Sequence, residues 1–362
     1  MKKFIVVCLI FFAFSTMFKF IANAQGVKVG GVQVGGYLQT WYYLYKENPA
    51  PRYPEDNEVE DGIVAGMRIK RAIVTLKTEL NEVFSVNILL NFPDQNRNLY
   101  DFSVTAKIFP ELIVTFGQFV SPCQTYETSG KMSFTKLALY EVSDIANNLS
   151  ANTGYEGYRD IGIMVNGALA NIFRYYLYYG SGNGRLFFAE TNILNKKLSD
   201  GLYGGRLEVE PIKGLNIGGH YAINNQENLY TSNGIINKDR NSMSVDLATQ
   251  GLGLPFISTI ISYGMGQVKD KGSAAFDYNG LSATLFVDLS KRVQLTGRFD
   301  TYNRKPEIGE ESNYNNIGFG LNWTYYKGTD DIFKLGLQYH IKNEDQNKID
   351  NNALLIYSQV KF

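Results

Sequence analysis

The sequence predicts an all-β fold, a transmembrane antiparallel β-barrel of about 16 strands with one long, partly helical inserted loop. Three observations predict it. From Val27 to Phe362 the chain breaks into period-2 segments of about ten residues. The connections between them are alternately short and long, and along each segment one parity is apolar while the other is polar or charged. Even-numbered strands with corners at one end and loops at the other fit a closed barrel in the bacterial outer membrane.

The chain opens with a segment set apart from the fold. Met1-Lys2-Lys3 is a basic start, Phe4 to Phe14 an apolar run, and Ala22-Asn23-Ala24 a small-residue site. This is the pattern of a secretory signal peptide over residues 1–24, with the barrel over 25–362. Cys8 lies inside the apolar run, too early to carry a lipid at the cleavage point.

Strands follow near 27–46, 63–80, 83–92, 100–108, 112–119, 159–169, 172–181, 201–211, 213–224, 240–250, 255–267, 278–289, 292–302, 313–326, 332–343 and 350–362. The tight connections are Asn81-Glu82, Pro110-Glu111, Ala170-Asn171, a turn at Ile212, Gly251 to Leu254, Ser290-Lys291 and Lys327 to Asp331. The long ones are polar, as in 47-ENPAPRYPEDNEVEDG-62 and 225-QENLYTSNGIINKD-238. The longest, 120–158, contains 133-SFTKLALYEVSDIANNLS-150, whose spacing is helical and whose Ser133 is placed to cap it. Two placements are open for it: folded into the barrel as a constriction, or packed outside or between subunits.

Composition agrees. Tyr 25, Phe 23 and Gly 35 are abundant against Pro 9 and His 2, and no apolar block after the N-terminus is long enough for a transmembrane helix. Without Lys2, Lys3 and Lys19, the 35 basic residues become 32 against 35 acidic ones, so the mature chain carries −3. Nothing in this balance points to nucleic acid. Cys123 is the one cysteine after the leader, which excludes an internal disulfide. A soluble β-sandwich would also alternate, but aromatic residues gathered at strand ends (Tyr42, Tyr43, Tyr45, Phe92, Tyr178, Tyr179, Tyr325, Tyr326) fit the interfacial girdles of a membrane barrel.

Sixteen strands enclose a water-filled lumen. Its predicted lining is Asp101, Ser103, Thr105 and Lys107 on one strand, Arg206, Glu208 and Glu210 on another, and Arg298 with Asp300 on a third. Arg174 and Lys334 face inward as well, and the inserted loop offers Lys131 and Lys136 against Glu127, Glu141 and Asp144. Around Arg71 the outward parity changes from Met67 and Ile69 to Ala72, Val74 and Leu76. Either a β-bulge that re-aims basic side chains or a simple register correction accounts for the change. The two histidines, His220 and His340, are predicted to line the lumen. Neither has the nucleophile elbow or metal-ligand spacing that catalysis or a metal site requires, so the reading is not an enzyme and carries no cofactor.

The blocks 68-RIKRAIVTLKTEL-80, 115-TFGQFVSPCQTYETS-129, 159-RDIGIMVNGAL-169 and 173-FRYYLYYGSGNG-184 follow one another as in the porin O and P family of phosphate-selective-type porins, which this N-terminal half resembles. The resemblance implies a homotrimeric channel in outer-membrane lipid with an inserted loop and a basic constriction. Arg68, Lys70 and Arg71 match the basic strand and Arg159 opens a later block. The expected function is passive diffusion of small hydrophilic solutes, anions such as phosphate among them. The alternative is a plugged or non-channel barrel serving as scaffold, adhesin or specific transporter. Phe362, a terminal aromatic on a closing strand, also resembles the signal read by the barrel-assembly machinery.

Overall fold

A computed structural model describes residues 28–29, 31–45, 64–93, 98–122, 144–154, 158–170, 172–184, 201–231, 234–271, 274–309, 311–327, 330–344 and 352–362. The expected signal peptide lies outside the described residues, as do Lys131, Lys136 and most of the inserted loop.

The strands are β1 (Lys28–Val29), β2 (Val32–Tyr45), β3 (Val64–Glu79), β4 (Phe84–Asn91), β5 (Leu99–Phe109), β6 (Leu112–Val120), β7 (Arg159–Leu169) and β8 (Phe173–Gly180). They continue as β9 (Gly201–Ile212), β10 (Leu215–Thr231), β11 (Gly234–Gln250), β12 (Ile257–Val268), β13 (Phe276–Asp288), β14 (Val293–Pro306), β15 (Ser312–Lys327), β16 (Asp330–Glu344) and β17 (Ala353–Lys361). Among the described residues one helix, α1 (Asp144–Thr153), lies between β6 and β7. The two-residue β1 pairs with the start of β2. From β2 to β17 each strand pairs antiparallel with the next, and β17 returns to β2 from Ala353↔Tyr45 to Lys361↔Tyr37, which closes a ring of sixteen. Closure leaves no strand edge for which lipid would have to supply hydrogen bonds.

The corners are made by local chemistry. Asn81 Oδ1 accepts from the backbone N–H groups of Val83 (2.9 Å) and Phe84 (2.7 Å), and Ser290 Oγ accepts from those of Arg292 (3.2 Å) and Val293 (3.1 Å). These are side-chain turns that reverse the chain in few residues. They mark the end with short connections, which is periplasmic in such barrels.

Alternation sorts the faces as expected. Leu207 (69 % exposed), Leu177 (59 %), Phe319, Tyr221 and Phe102 stand outward, whereas Gln39, Ser103, Arg206, Ser244, Arg298 and Gln338 are buried inward. In β17, Ile356 is outward and Leu355, Tyr357 and Gln359 are inward. At the seam, Thr40 and Ser358 fall on the lipid side, where their hydroxyls bond each other at 2.7 Å. The stretch expected as a loop over 225–238 is largely strand: β10 runs to Thr231 and β11 starts at Gly234, paired up to Thr231↔Gly234. Among the described residues β9 pairs with β10 up to Asn225 and β12 with β11 up to Arg240, and a further bridge joins Asn237 to Lys271.

Candidate functional site

The basic group of β3 is built by a bulge. Gln39 pairs with Arg71 and Thr40 with Ile69, so Lys70 is one residue more than β2 can match. In regular alternation residues three apart face opposite ways; the extra residue lets Arg68 and Arg71 both enter the lumen. Met67 and Ile69, more than half exposed, keep the lipid side. The change of parity in the sequence is therefore a bulge and not a register correction.

The cations settle on an aromatic floor. Trp41, Tyr43, Leu355 and Tyr357 form a cluster on the inner faces of β2 and β17. The Arg68 guanidinium lies 4.8 Å from the Trp41 ring centroid and 5.7 Å from that of Tyr43, and Lys70 Nζ lies 4.4 Å from the Trp41 centroid. Trp41 is buried and Arg68 is exposed. Arg71 Nη1 donates to Gln39 Oε1 (3.0 Å), and Gln39 Nε2 donates to Gln359 Oε1 (3.0 Å), tying β3 to the seam. Lower on the same inner faces, Lys77 (opposite Gln33) and Lys107 are exposed.

The remaining candidates have protein partners. Arg159 Nε meets Asp101 Oδ1 at 2.5 Å, and its guanidinium lies 4.7 Å from the Tyr100 ring centroid. Arg174 contacts Glu210 (3.4 Å) and Glu208 (3.9 Å). Arg206 is fully buried, bonding Glu208 at 2.9 Å and Asp246 at 2.6 Å. Arg298 donates from Nε to Thr284 Oγ1 (3.1 Å), and Lys334 is buried. Among the described residues the expected basic set thus divides: Arg68 and Lys107 are exposed, Lys70, Arg71 and Arg174 are half-buried, and Arg159, Arg206, Arg298 and Lys334 are buried in the wall.

Helix α1 stands on the inner wall of β10 to β14, with β12 at the centre of its footprint. Ile145 and Leu149 are buried against Val268 and Tyr278. They lie so close to Gly264 that a Cβ there would be 3.2 Å from both side chains. Arg240, ion-paired with Asp270, donates to the last carbonyls of the helix, Ala151 O (3.4 Å) and Asn152 O (3.3 Å), where a cation also suits the helix dipole. Asn224 Nδ2 donates to Thr153 O (2.7 Å), and Thr153 Oγ1 to Ser242 Oγ (2.7 Å). Gly154 at φ 110° ends the helix in the left-handed conformation, donating back to Ser150 O. Helix α1 runs on to Thr153, past the expected end at 150, and residues 133–143 of the expected helical stretch lie outside the described residues. Since β11 follows β3 by eight places in a ring of sixteen, α1 and the basic group face each other across the lumen.

Sequence reasoning missed four participants. Tyr43 reads as a girdle aromatic and Trp41 is not singled out by the sequence; only the register of β2 against β3 shows that their rings meet the cations. Lys77 follows from the parity of Arg71 once the bulge is known. Asp160 accepts from Ser181 Oγ (2.5 Å), Tyr178 OH (2.9 Å) and the backbone N–H groups of Gly182 (2.7 Å) and Gly184 (3.2 Å). It holds 181-SGNG-184 at the rim, and Gly182 O in turn accepts from Asn224 Nδ2 at 2.8 Å.

No family profile matches the chain, and no curated protein sequence does. Solved structures do. The chain is similar to the outer-membrane channel DcaP of Acinetobacter baumannii (TM-score 0.64, 12 % identity, 94 % of this chain and 100 % of that one). It is similar to in-vitro folded OmpT, an outer membrane protein of Vibrio cholerae (TM-score 0.64, 10 % identity, 94 % and 100 %). The anion-selective porin of Comamonas acidovorans is a third (TM-score 0.60, 10 % identity, 91 % and 99 %). At these identities the likeness shows the fold: the chain is a closed outer-membrane β-barrel of the kind found in porins and channels.

Proposed function

We propose that the protein is an outer-membrane channel for passive diffusion of small hydrophilic solutes, with anions favoured and phosphate within that class. The observation that carries this reading is the group Arg68, Lys70 and Arg71 on the inner wall, across the lumen from α1. Cations on one side of a path replace the hydration of a passing anion while binding it weakly enough to release it. The inserted loop then acts as the constriction, with α1 as its fixed part. A homotrimer is the assembly we favour, in line with the trimer form known for the Vibrio cholerae protein, and export by the N-terminal leader completes the picture.

The chemistry of the wall supports transport and not catalysis. His220 Nδ1 meets Ser244 Oγ at 2.6 Å, but both side chains are buried in the wall and present no open nucleophile. A second reading has its own observation. Along β9 to β17, inward side chains such as Arg206, Asn224, Ser242 and Asp300 have almost no exposure, as they would in a barrel filled on that side.

Planar-bilayer recording separates the two. Stepwise conductance from the purified folded protein, with a reversal potential in a KCl gradient that favours chloride, is expected for the channel; absence of steps sinks it in favour of the filled barrel. Replacing Arg68 and Arg71 by Ala is expected to reduce the anion preference, and unchanged selectivity removes them from the filter.

A further inference from the structure

We infer that the rim formed by the β9–β10, β11–β12 and β13–β14 turns binds anionic phospholipid of the inner leaflet, with Lys213, Lys291 and Arg292 meeting the head-group phosphates. The inference concerns the outside of the barrel and does not depend on what passes through it.

These turns lie at the end with short connections, so the leaflet they border is the one that faces the periplasm. Backbone hydrogen bonds join them into one surface. Gln250 N–H donates to Gly214 O (2.8 Å), tying the second turn to the first, and Asp288 N–H donates to Phe256 O (2.8 Å), tying it to the third. Within the second turn Gly251 N–H donates to Ile257 O and Ile257 N–H to Leu254 O, both at 3.0 Å. The surface is preformed.

Its chemistry is that of a membrane interface. Ile212 and Leu289 are more than half exposed, and Leu252, Leu254 and Phe256 more than two-fifths. A turn standing in water gains nothing from such side chains, whereas here they continue the lipid-facing band of Leu207, Ile217, Leu285 and Leu295 on the same strands. Beside them Lys213, Lys291 and Arg292 are exposed, and among the described residues none of the three is ion-paired. The nearby acids are engaged: Glu210 accepts from Gly214 N–H (3.1 Å) and contacts Arg174, and Asp288 Oδ1 accepts from Gln294 Nε2 (2.7 Å). Long cationic side chains next to lipid-facing residues lay their stems on apolar surface and carry their charge to the level of the phosphates. Across the barrel the same end also exposes apolar residues, Leu80 and Phe109, but its turns carry Glu82 and Glu111. Charge therefore sets the β9 to β14 sector apart, and its continuity with the lipid-facing band favours lipid over a periplasmic protein as the occupant.

The test refolds the protein into vesicles of phosphatidylcholine, with and without phosphatidylglycerol, and reads the unfolding midpoint in urea, an uncharged denaturant, at low and high salt. The wild type is expected to unfold at higher urea with phosphatidylglycerol at low salt, and high salt to erase the difference. Lys213→Gln, Lys291→Gln and Arg292→Gln together are expected to remove most of that difference and to leave the midpoint in phosphatidylcholine unchanged. Glu82→Gln with Glu111→Gln is expected to keep it. A wild type indifferent to phosphatidylglycerol overturns the inference, and this holds even where the triple variant fails to fold. A triple variant that responds as fully as the wild type overturns it as well. Leu254→Ser is expected to lower the midpoint in both vesicles; an unchanged midpoint would make the rim a surface for a soluble partner and would also overturn it.

Discussion

The ring of Phe362 lies where a side chain on Gly36 would have to stand: a Cβ at Gly36 would come within 2.8 Å of Phe362 Cζ. The two residues also exchange backbone hydrogen bonds, Gly36 N–H to Phe362 O at 2.9 Å and Phe362 N–H to Gly36 O at 3.0 Å. The last residue of the chain is thereby fastened to the first barrel strand at the seam. Deleting Phe362 removes both bonds and the ring, and is expected to lower the amount of folded, heat-modifiable protein in the membrane before it alters conductance. Gly36→Val is expected to do the same, because its side chain would meet the backbone carbonyl of Ile73 on β3 as well as the ring. Normal membrane levels of the truncated protein would refute the seam as a determinant of assembly.

The closing strand shows how much can be read locally. Period 2 needs no tertiary knowledge, so the inward set of Gln359 and Lys361 and the outward set of Leu354 and Ile356 follow from the sequence alone. The same rule fails at 225–238. There β10 and β11 stay paired with each other as far as Thr231↔Gly234, and backbone pairing does not itself need apolar alternation. Partnerships between distant strands are equally hidden. That Arg206 is occupied by Asp246 while Arg68 rests on Trp41 depends on which strands are neighbours and in what register, which no single segment encodes. The site was legible as a set of cations, not as the subset that meets the lumen.

The bulge at Lys70 makes an unusual deletion tolerable. With Lys70 removed, Arg71, Ile69, Arg68 and Met67 alternate in, out, in, out against the same partners on β2, so the ladder becomes regular and no charge moves to the lipid side. The deletion variant is expected to fold into lipid vesicles with wild-type stability. Ile69→Arg, by contrast, places a charge on the outer face, at a cost of about 2–4 kcal/mol near the bilayer midplane. Denaturant unfolding in vesicles checks both; a deletion as damaging as Ile69→Arg would contradict the bulge.

The seat of α1 offers a way to narrow the lumen without touching the strands' hydrogen bonds. The three atoms nearest a Cβ on Gly264 all belong to Ile145 and Leu149 of the helix, so Gly264→Leu pushes the helix away from β12 and towards the basic group. Single-channel conductance is expected to fall, with Gly264→Ala intermediate, while the yield of folded barrel stays near that of the wild type. Unchanged conductance in Gly264→Leu would show that α1 does not border the path.

Arg206 separates a structural cation from a functional one. It is buried with Glu208 and Asp246, and all three side chains are at most 2 % exposed, so the attraction of the two acids is balanced against the cost of removing three charges from water. Removing the cation alone takes from Glu208 and Asp246 a buried partner within 3 Å, and Arg206→Met is expected to destabilise the barrel by about 3–5 kcal/mol. The triple variant Arg206→Met, Glu208→Gln, Asp246→Asn leaves no uncompensated charge and is expected to regain most of that loss. Unfolding midpoints in denaturant, measured for the single and triple variants in the same vesicles, decide the matter. A single variant as stable as the triple would mean that water reaches these acids, and Arg206 would then return to the group of cations that border the lumen.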